Sequence, residues 1–304
     1  MPEAKKTEIT LRYKLEWFAV RFAFWFFRKL GRKRASNFGA WLARQIGPLL
    51  SVQKIADENI RLALPAITTS ERRKVLKKMW DNLGRNVGEL PHTKELDFNS
   101  PDVELVGAEY LDDYIASPNS AFFLTAHYGP WELIIGAVGK YCKSPVSVIY
   151  RAANNPLVEQ FFQAERFDEE CRFIPKGQKG ARGILTALKK REAIALLNDQ
   201  KQNTGVPVPF FGRDAMTAPS IAELAVKTKL PIYPVRAERL SSGKMRVTVS
   251  APIFSANSGE REKDVMQLLK SINEIYESWI TERPDHWFWV HNRWPKHPVS
   301  ENIN

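Results

Sequence analysis

Short apolar segments alternate with segments of helical periodicity from Val103 onward, and this alternation constrains the fold more than any other feature of the chain. The apolar segments predict five strands: Ala121–Ala126, Val146–Tyr150, Ala193–Leu197, Ile232–Val235 and Met245–Ser250. A weaker strand is predicted near Phe173. The intervening segments predict helices: Trp131–Tyr141, Pro156–Asp168, Gly180–Lys190, Pro219–Thr228 and Glu260–Ile280. We therefore expect an α/β fold in which a central, mostly parallel sheet is flanked by helices. Functional residues in such folds gather beyond the carboxyl ends of the strands.

The six residues His127–Glu132 (HYGPWE) lie between the first of these strands and the helix that follows it. Pro130 suits a helix start, so His127 is predicted in the loop and Glu132 in the first helical turn. Such a pair can act together, the histidine as general base and the carboxylate as the group that fixes its tautomer. The spacing alone equally fits a loop histidine followed by a glutamate that the helix dipole favours.

Other catalytic chemistries lack their residue patterns in this chain. There is no G-x-S-x-G nucleophile turn, no Walker A loop and no G-x-G-x-x-G segment. No histidine stands at metal-ligand spacing from a second histidine or a cysteine, so we predict neither a metal site nor a cofactor. The two cysteines, Cys142 and Cys171, are too few for a disulfide framework and indicate a reducing compartment.

Positive charge is concentrated at the N-terminus. The formal net charge is +11, and residues 1–34 hold ten Lys or Arg against three acidic residues. These cations are interleaved with Trp17, Phe18, Phe22, Phe24, Trp25, Phe26 and Phe27. This pattern favours an anionic membrane surface over a nucleic-acid arm, because no nucleic-acid-binding motif follows. Arg21 interrupts the apolar run, so we expect an interfacial or partly inserted segment; an amphipathic helix packed on its own domain is the alternative.

The chain divides into three predicted regions. Residues 1–50 form a basic, aromatic, membrane-associating helical region, with Gly31 and Gly47 as helix breaks. Residues 51–100 form a second helical region that ends in a polar connector. Residues 101–304 form the α/β domain that carries the predicted site.

An ordered set of short motifs resembles the lipid A biosynthesis lauroyl/myristoyl acyltransferase family, within the glycerolipid-type acyltransferases. The H-x4-E segment comes first. The other matching pieces follow in the family's order: Tyr150-Arg151, Asn154-Asn155-Pro156-Leu157, Arg166, Asn198-Asp199-Gln200, Val208-Pro209-Phe210-Phe211-Gly212, Thr217 and the terminal cluster Trp287–Arg293. The resemblance covers about residues 15–295, and the set is far more specific than the short H-x4-E motif.

The resemblance implies transfer of a fatty acyl chain from acyl carrier protein to a hydroxyl of a Kdo-bearing lipid A precursor. The implied location is the cytoplasmic face of the inner membrane, with anionic lipids as partners and no nucleic acid. The residue chemistry agrees, since transfer from a thioester to an alcohol needs a base and no protein nucleophile. A lysophospholipid or glycerol-phosphate acyltransferase with the same histidine and glutamate is the alternative function. A non-enzymatic basic protein that binds membranes or nucleic acid is a third possibility.

Five further residues are candidates for substrate binding. Arg151 and Arg166 offer planar guanidinium groups to phosphates or carboxylates of the acceptor, although Arg166 also has acidic neighbours with which to pair. Asn155 belongs to one of the motifs that carry the resemblance. Asp199, at a strand end, is a candidate for orienting another group or for simple turn formation. Thr217 precedes a predicted helix, which it would also suit as a cap.

Overall fold

The computed structural model describes residues 9–117, 119–166, 171–176, 178–241 and 244–294. The helices of this part of the chain are α1 Leu11–Leu30, α2 Arg32–Ile46, α3 Val52–Ala63, α4 Thr69–Glu89, α5 Ala108–Ala116, α6 Trp131–Cys142, α7 Pro156–Arg166, α8 Gln178–Lys189, α9 Ser220–Thr228 and α10 Arg261–Glu282. The strands are β1 Val103–Val106, β2 Phe122–Thr125, β3 Val146–Tyr150, β4 Cys171–Pro175, β5 Ala193–Leu197, β6 Val206–Phe210, β7 Arg213–Thr217, β8 Ile232–Arg239 and β9 Met245–Val249. Short 3-10 helices lie at Gly47–Leu49, Leu90–Glu95 and Pro284–His286.

Seven of the strands form one mixed sheet in the order β1-β9-β8-β2-β5-β3-β4. Five neighbouring strands, β8, β2, β5, β3 and β4, run parallel to one another, so their carboxyl ends share one edge. β9 pairs antiparallel with β8, and β1 pairs parallel with β9. The predicted α/β fold with a mostly parallel sheet flanked by helices is therefore confirmed.

Both faces of the sheet are covered, and β2 shows how its residues are shared between them. Phe122 and Leu124 belong to one hydrophobic core, together with α10 and the C-terminal tryptophans. Ala121 and Phe123 point the other way, into a second core that includes Leu111 of α5. All four β2 residues are buried, as expected for a central parallel strand that packs helices on both sides.

A separate two-stranded hairpin, β6–β7, follows β5 in the chain. Phe211 and Gly212 form its two-residue turn, and both have positive φ (50° and 68°). Such turns match the right-handed twist of the strands they join. The prolines Pro207 and Pro209 limit backbone hydrogen bonding in β6, which is consistent with a short hairpin outside the main sheet.

The helical N-terminal region follows the prediction closely. Gly31 separates α1 from α2, and α4 begins with a capping box in which Thr68 and Glu71 bond each other's backbone. Within the described residues, no helix combines the length and the apolar character needed to cross a membrane. The predicted membrane anchor thus stays a prediction, as does the division into regions 1–50, 51–100 and 101–304.

α2 and α4 approach each other along a stripe of small residues. A Cβ on Gly39 would lie 2.1 Å from the carbonyl oxygen of Gly84, and one on Gly88 would lie 2.2 Å from that of Ala35. Only glycine permits such a short distance between the two helix backbones. α4 also reaches the sheet, because the amide groups of Asn82 and Asn86 bond Arg239 at the end of β8. The N-terminal helices are thereby joined to the edge at which the parallel strands end.

Candidate active site

His127 and Asp199 come together because their strands are neighbours in the sheet. His127 lies two residues beyond β2 and Asp199 two residues beyond β5, and β2 and β5 pair in parallel. The Nδ1 atom of His127 lies 2.8 Å from Oδ1 of Asp199. The backbone N–H of His127 donates to Oδ2 of the same carboxylate at 3.0 Å. One buried side chain therefore holds both the ring and the backbone of the loop histidine.

Asp199 receives a third hydrogen bond from the C-terminal segment. The indole Nε1–H of Trp287 donates to Oδ2 at 2.8 Å, and Asp199 is only 1% exposed. Burial alone would raise the pKa of this carboxyl. The charge and hydrogen bonds of His127 and the bond from Trp287 outweigh burial and lower the pKa to about 2. Asp199 is a carboxylate at neutral pH, and it accepts three donors.

The carboxylate determines which imidazole nitrogen carries the proton. An ionised carboxylate only accepts hydrogen bonds, so Nδ1 of a neutral His127 is the protonated nitrogen. Nε2 then carries the lone pair, and the amide Nε2 of Gln200 lies 3.3 Å from it. The imidazole is partly exposed and lines an open cavity. This tautomer and orientation suit a general base.

Several backbone bonds fix the loop that carries His127. The His127 carbonyl accepts from the Phe288 N–H at 3.0 Å, and the Gly129 N–H donates to the His286 carbonyl at 2.8 Å. The Gly129 carbonyl accepts from Asn86 of α4 at 2.7 Å. Gly129 has φ of 55°, and a Cβ there would lie 1.9 Å from the Ala237 carbonyl oxygen. The loop is thus held by the C-terminal segment and by α4, and its backbone packs closely against β8.

Glu132 lies in the first turn of α6, as predicted, and lines the same cavity as His127. The side chain that accepts the hydrogen bond from Nδ1 of His127 is Asp199. The sequence indicated two possible roles for Asp199, orienting another group or forming a turn. The structure therefore brings His127, Glu132 and Asp199 to one site, with the Asp199 carboxylate in the position that fixes the tautomer.

The cavity has a volume of about 590 Å³ and lies at the carboxyl edge of the parallel strands. Three cations line it, each just beyond a different strand: Arg151 after β3, Lys176 after β4 and Lys201 after β5. Trp131, Val148 and Phe173 add apolar surface. A site of this composition can bind an anionic group through its cations and an apolar chain through its apolar side chains, both close to a base.

Comparison of the sequence with known proteins identifies the family of the chain. A sequence profile of the bacterial lipid A biosynthesis acyltransferase family matches residues 1–296. The chain belongs to this family. Lipid A biosynthesis palmitoleoyltransferase of Escherichia coli (strain K12) is 25% identical over 96% of this chain and 94% of its own length. Lipid A biosynthesis lauroyltransferase of the same strain is 25% identical over 81% of this chain and 79% of its own length. A lipid A biosynthesis acyltransferase of Haemophilus influenzae is 24% identical over 90% of this chain and 84% of its own length.

The chain is accordingly an enzyme that transfers acyl groups in lipid A biosynthesis. The family resemblance inferred from the ordered motifs is confirmed. Across the described residues of this acyltransferase, no three His, Cys, Asp or Glu side chains are grouped so as to hold a metal ion. Cys142 and Cys171 are both buried and are not joined in a disulfide.

Two predicted substrate-binding residues of the acyltransferase make structural contacts. The side-chain amide of Asn155 donates to the Tyr13 carbonyl at 2.9 Å and to Glu16 at 3.0 Å, while its oxygen accepts from the N–H of Leu157 at 3.0 Å. It thus caps α7 and holds α1. Thr217 is fully buried, and its hydroxyl accepts from Arg293 at 2.8 Å.

Arg151 and Arg166 have different positions. Arg151 lines the cavity and lies 3.5 Å from the side-chain oxygen of Asn154. Arg166 is the last residue of α7, and its side chain lies outside the described part of the molecule. The roles of these residues in substrate binding stay predictions.

From the sequence alone, we assigned no site role to several groups that the structure brings to this site. Trp287 bonds Asp199, and His291 lines the cavity with its Nε2 accepting the Lys201 N–H at 2.6 Å. Burial lowers the pKa of His291, which favours the neutral ring. Lys176 and Lys201 each follow a strand that the sequence did predict, and the parallel topology could have indicated them. Trp287 and His291 belong to the terminal cluster that carries the resemblance, but nothing in that cluster indicates that it reaches this site from the end of the chain.

Proposed function

We propose that this acyltransferase moves a fatty acyl chain from acyl carrier protein to a hydroxyl of a Kdo-bearing lipid A precursor, with His127 as general base. One observation carries the proposal: a buried carboxylate holds Nδ1 of His127, and Nε2, which carries the lone pair, belongs to a ring that lines a cationic cavity. The family supports the reaction class and the lipid A pathway.

In the proposed reaction, Nε2 of His127 takes the proton of the acceptor hydroxyl as the oxygen attacks the thioester carbonyl. The C–O bond forms, and the carbonyl becomes a tetrahedral oxyanion. When it collapses, the C–S bond breaks, and the departing thiolate takes the proton from Nε2. Asp199 stabilises the imidazolium between these steps, which is the part that the acid has in a Ser-His-Asp triad.

Glu132 is the second carboxylate of the proposed mechanism. From the first turn of α6 it lines the cavity beside His127, where its negative charge favours the imidazolium. The proposed base thus has one carboxylate that fixes the ring and another that faces the substrate.

The cations of the cavity fit an acceptor that carries phosphates and carboxylates. Arg151 has the planar group suited to paired oxygen atoms, while Lys176 and Lys201 provide point charges. We assign this acceptor role first to Arg151, and we keep Arg166 as a candidate on the same grounds. Both acceptor and donor are anionic, which agrees with the positive net charge of the chain.

We also propose that the enzyme acts at the cytoplasmic face of the inner membrane and binds anionic lipids through its N-terminal region. The support is the concentration of cations and aromatic residues in residues 1–34. An acyl acceptor with a lipid anchor is reached most readily by an enzyme that stays at the bilayer surface.

The test combines one variant with one analysis of cellular lipid. His127→Ala should lower acyl transfer from acyl carrier protein by ~10²–10⁴-fold with an unchanged circular dichroism spectrum, because only the base is lost. Mass spectrometry of lipid A from a strain that lacks the protein should show species short by one acyl chain.

Two controls separate this proposal from its competitors. Lysophospholipid and glycerol phosphate, offered with the same donor, should not be acylated at comparable rates, and acyl coenzyme A should be the poorer donor. Full activity of His127→Ala would overturn the mechanism. Unchanged lipid A in the deletion strain, or preferred acylation of lysophospholipid, would overturn the assigned acceptor.

A further inference from the structure

One face of α1 exposes a continuous row of large apolar side chains. Leu11, Leu15, Phe18, Phe22 and Trp25 are each more than half exposed, although they are among the most apolar residues of the chain. Their spacing alternates between four and three residues, so they fall on a single stripe of the helix. The opposite side of the same helix packs into the protein through the buried Phe24 and Phe27. Exposed rows of this size mark interaction surfaces.

The apolar row continues onto α2 without a break. Phe22 stacks on Phe26 with ring centroids 6.4 Å apart, Phe26 contacts Phe38 at 5.4 Å, and Phe38 contacts Trp41 at 5.6 Å. The outer side of α2 and the turn after it add four more exposed side chains: Leu42, Ile46, Leu49 and Leu50. We call the exposed residues of this surface, 11, 15, 18, 22, 25, 38, 41, 42, 46, 49 and 50, the α1–α2 face.

The charges around the α1–α2 face identify what it contacts. Residues 9–50 include nine Lys or Arg and one acidic residue, Glu16. Lys14 and Arg21 lie on α1 beside the apolar stripe, and Arg21 rests 4.7 Å from the ring centroid of Trp17. Apolar and aromatic side chains bordered by cations match the interface of an anionic bilayer. A protein partner of matching shape would not require this excess of cations.

α1 is bound along its length to the catalytic body. Asn155 bonds the Tyr13 carbonyl and Glu16 near its start, and Arg28 pairs with Glu165 at 2.5 Å near its end. Between them, Phe24 contacts Phe161 with ring centroids 5.0 Å apart. A helix that crossed the bilayer would have to leave these contacts with α7. The docked helix instead presents its outer side to whatever lies over the protein surface.

We propose that the α1–α2 face binds the bilayer in plane, inserting side chains from both helices into one monolayer while α1 stays docked on α7. This extends the membrane location proposed above to a definite surface and a definite mode of binding. It also brings the bilayer close to the active-site cavity, because α7 begins five residues after the cavity residue Arg151. An acceptor lipid could then enter the cavity from the monolayer that the face binds.

The first experiment measures vesicle binding by the full chain, with no acyl donor or acceptor present. Sedimentation should show binding to vesicles containing phosphatidylglycerol and weaker binding to pure phosphatidylcholine, because the cations contribute. The double variant F22S/W25S should lower the partition coefficient about tenfold or more, because two large exposed apolar groups are removed.

Phe254→Ser provides a matched control for these substitutions. Phe254 is 63% exposed and Phe22 is 64% exposed, but Phe254 lies far along the chain, between β9 and α10. Its partition coefficient should stay within twofold of the wild-type value. Equal losses in the control and in F22S/W25S would overturn the proposal. So would a soluble dimer that dissociates in F22S/W25S and does not bind vesicles, since the face would then be covered by a second copy.

The second experiment distinguishes in-plane binding from spanning. Single cysteines at Leu15, Trp25 and Trp41 carry a nitroxide label, and both native cysteines are buried away from the reagent. In-plane binding predicts similar shallow depths at all three sites by electron paramagnetic resonance. A spanning α1 would separate Leu15 from Trp25 by about 15 Å in depth, which would overturn the proposal. Vesicle binding does not depend on His127, so failure here is distinct from failure of the acyl-transfer mechanism.

Discussion

The candidate active site at the carboxyl edge of the parallel strands and the α1–α2 face are unusual in opposite ways: the first buries a charge, and the second exposes large apolar side chains. At the edge, a carboxylate is 1% exposed and is balanced by three hydrogen-bond donors. On the face, large apolar side chains point outward into solvent, with cations only along their border. Buried charge requires partners within the chain, whereas exposed apolar surface requires a partner outside it.

The two regions are joined by α4. Its small-residue stripe holds α2, and Asn86 bonds both the Gly129 carbonyl of the His127 loop and Arg239 of β8. α4 thus connects the α1–α2 face to the loop that carries His127, in addition to the contacts of α1 with α7.

The largest effect is expected at the buried carboxylate. Asp199→Asn should reduce acyl transfer ~10²–10⁴-fold. The wild-type carboxylate accepts three hydrogen bonds with its two oxygens, whereas one of the two terminal groups of an asparagine is an NH₂ group that can only donate. Steady-state kinetics should show the loss mainly in kcat. Nitrogen-15 NMR of the histidines should show that His127 loses its Nδ1–H tautomer.

Glu192→Gln is the matched control, since Glu192 is a buried carboxylate at the opposite end of the same strand, β5. It bonds Ser147 at 2.9 Å and Arg172 at 2.5 Å, remote from the cavity. This variant should lose stability and keep its kcat. Comparable loss of kcat in both variants would mean that Asp199 only supports the fold.

The sequence predicted the elements of the polar site better than their contacts. Strands β2, β3, β5, β8 and β9 lie where the apolar runs indicated, and His127 follows its strand as expected. β1 and the β6–β7 hairpin were missed, since β1 alternates partly buried and exposed residues instead of forming an apolar run, and the hairpin contains two prolines.

The pairing of His127 with Asp199 depends on which strands become neighbours. β2 and β5 are adjacent in the sheet but 72 residues separate the two side chains in the chain, and local patterning does not reveal strand order. Glu132, five residues from His127, was the partner that local reasoning could reach. Trp287 lies still further along the chain, which is why the third bond to the carboxylate was not anticipated.

The connection between the regions should break at the small-residue stripe. In Gly84→Val, the new Cβ would lie 2.2 Å from the Gly39 carbonyl oxygen, so α2 must move away from α4. We expect a loss of roughly 1–3 kcal/mol in the free energy of unfolding, measured by urea denaturation. Ala181→Val, at an exposed position on α8, adds the same branched side chain where it meets solvent. It should cost less than Gly84→Val, whose loss helix propensity cannot explain because valine is a better helix former than glycine. Equal losses in the two variants would contradict the close contact as the cause.

Acid should weaken the polar site in a defined pH range. The folded-state pKa of Asp199 is about 2, below the ~3.9 expected for an unfolded chain. A lowered folded pKa stabilises the protein fully above the unfolded pKa, and this stabilisation is lost as the pH falls toward 2. The stability advantage of wild type over Asp199→Asn should therefore shrink by roughly 2 kcal/mol between pH 5 and pH 2. A constant difference across this range would show that the carboxyl titrates alike in both states.

The smallest effect is expected where α1 meets α7. Asn155→Ala removes the bonds to the Tyr13 carbonyl and to Glu16, which together should cost about 1 kcal/mol of local stability. Hydrogen–deuterium exchange should rise within Leu11–Leu30 while exchange in β2 and β5 stays unchanged. Arg28→Ala removes a pair whose arginine is 51% exposed, so it should raise exchange less. Unchanged hydrogen exchange of α1 in Asn155→Ala would mean that only Phe24 and its apolar neighbours hold α1 on α7. The motif that contains Asn155 would then have a different role.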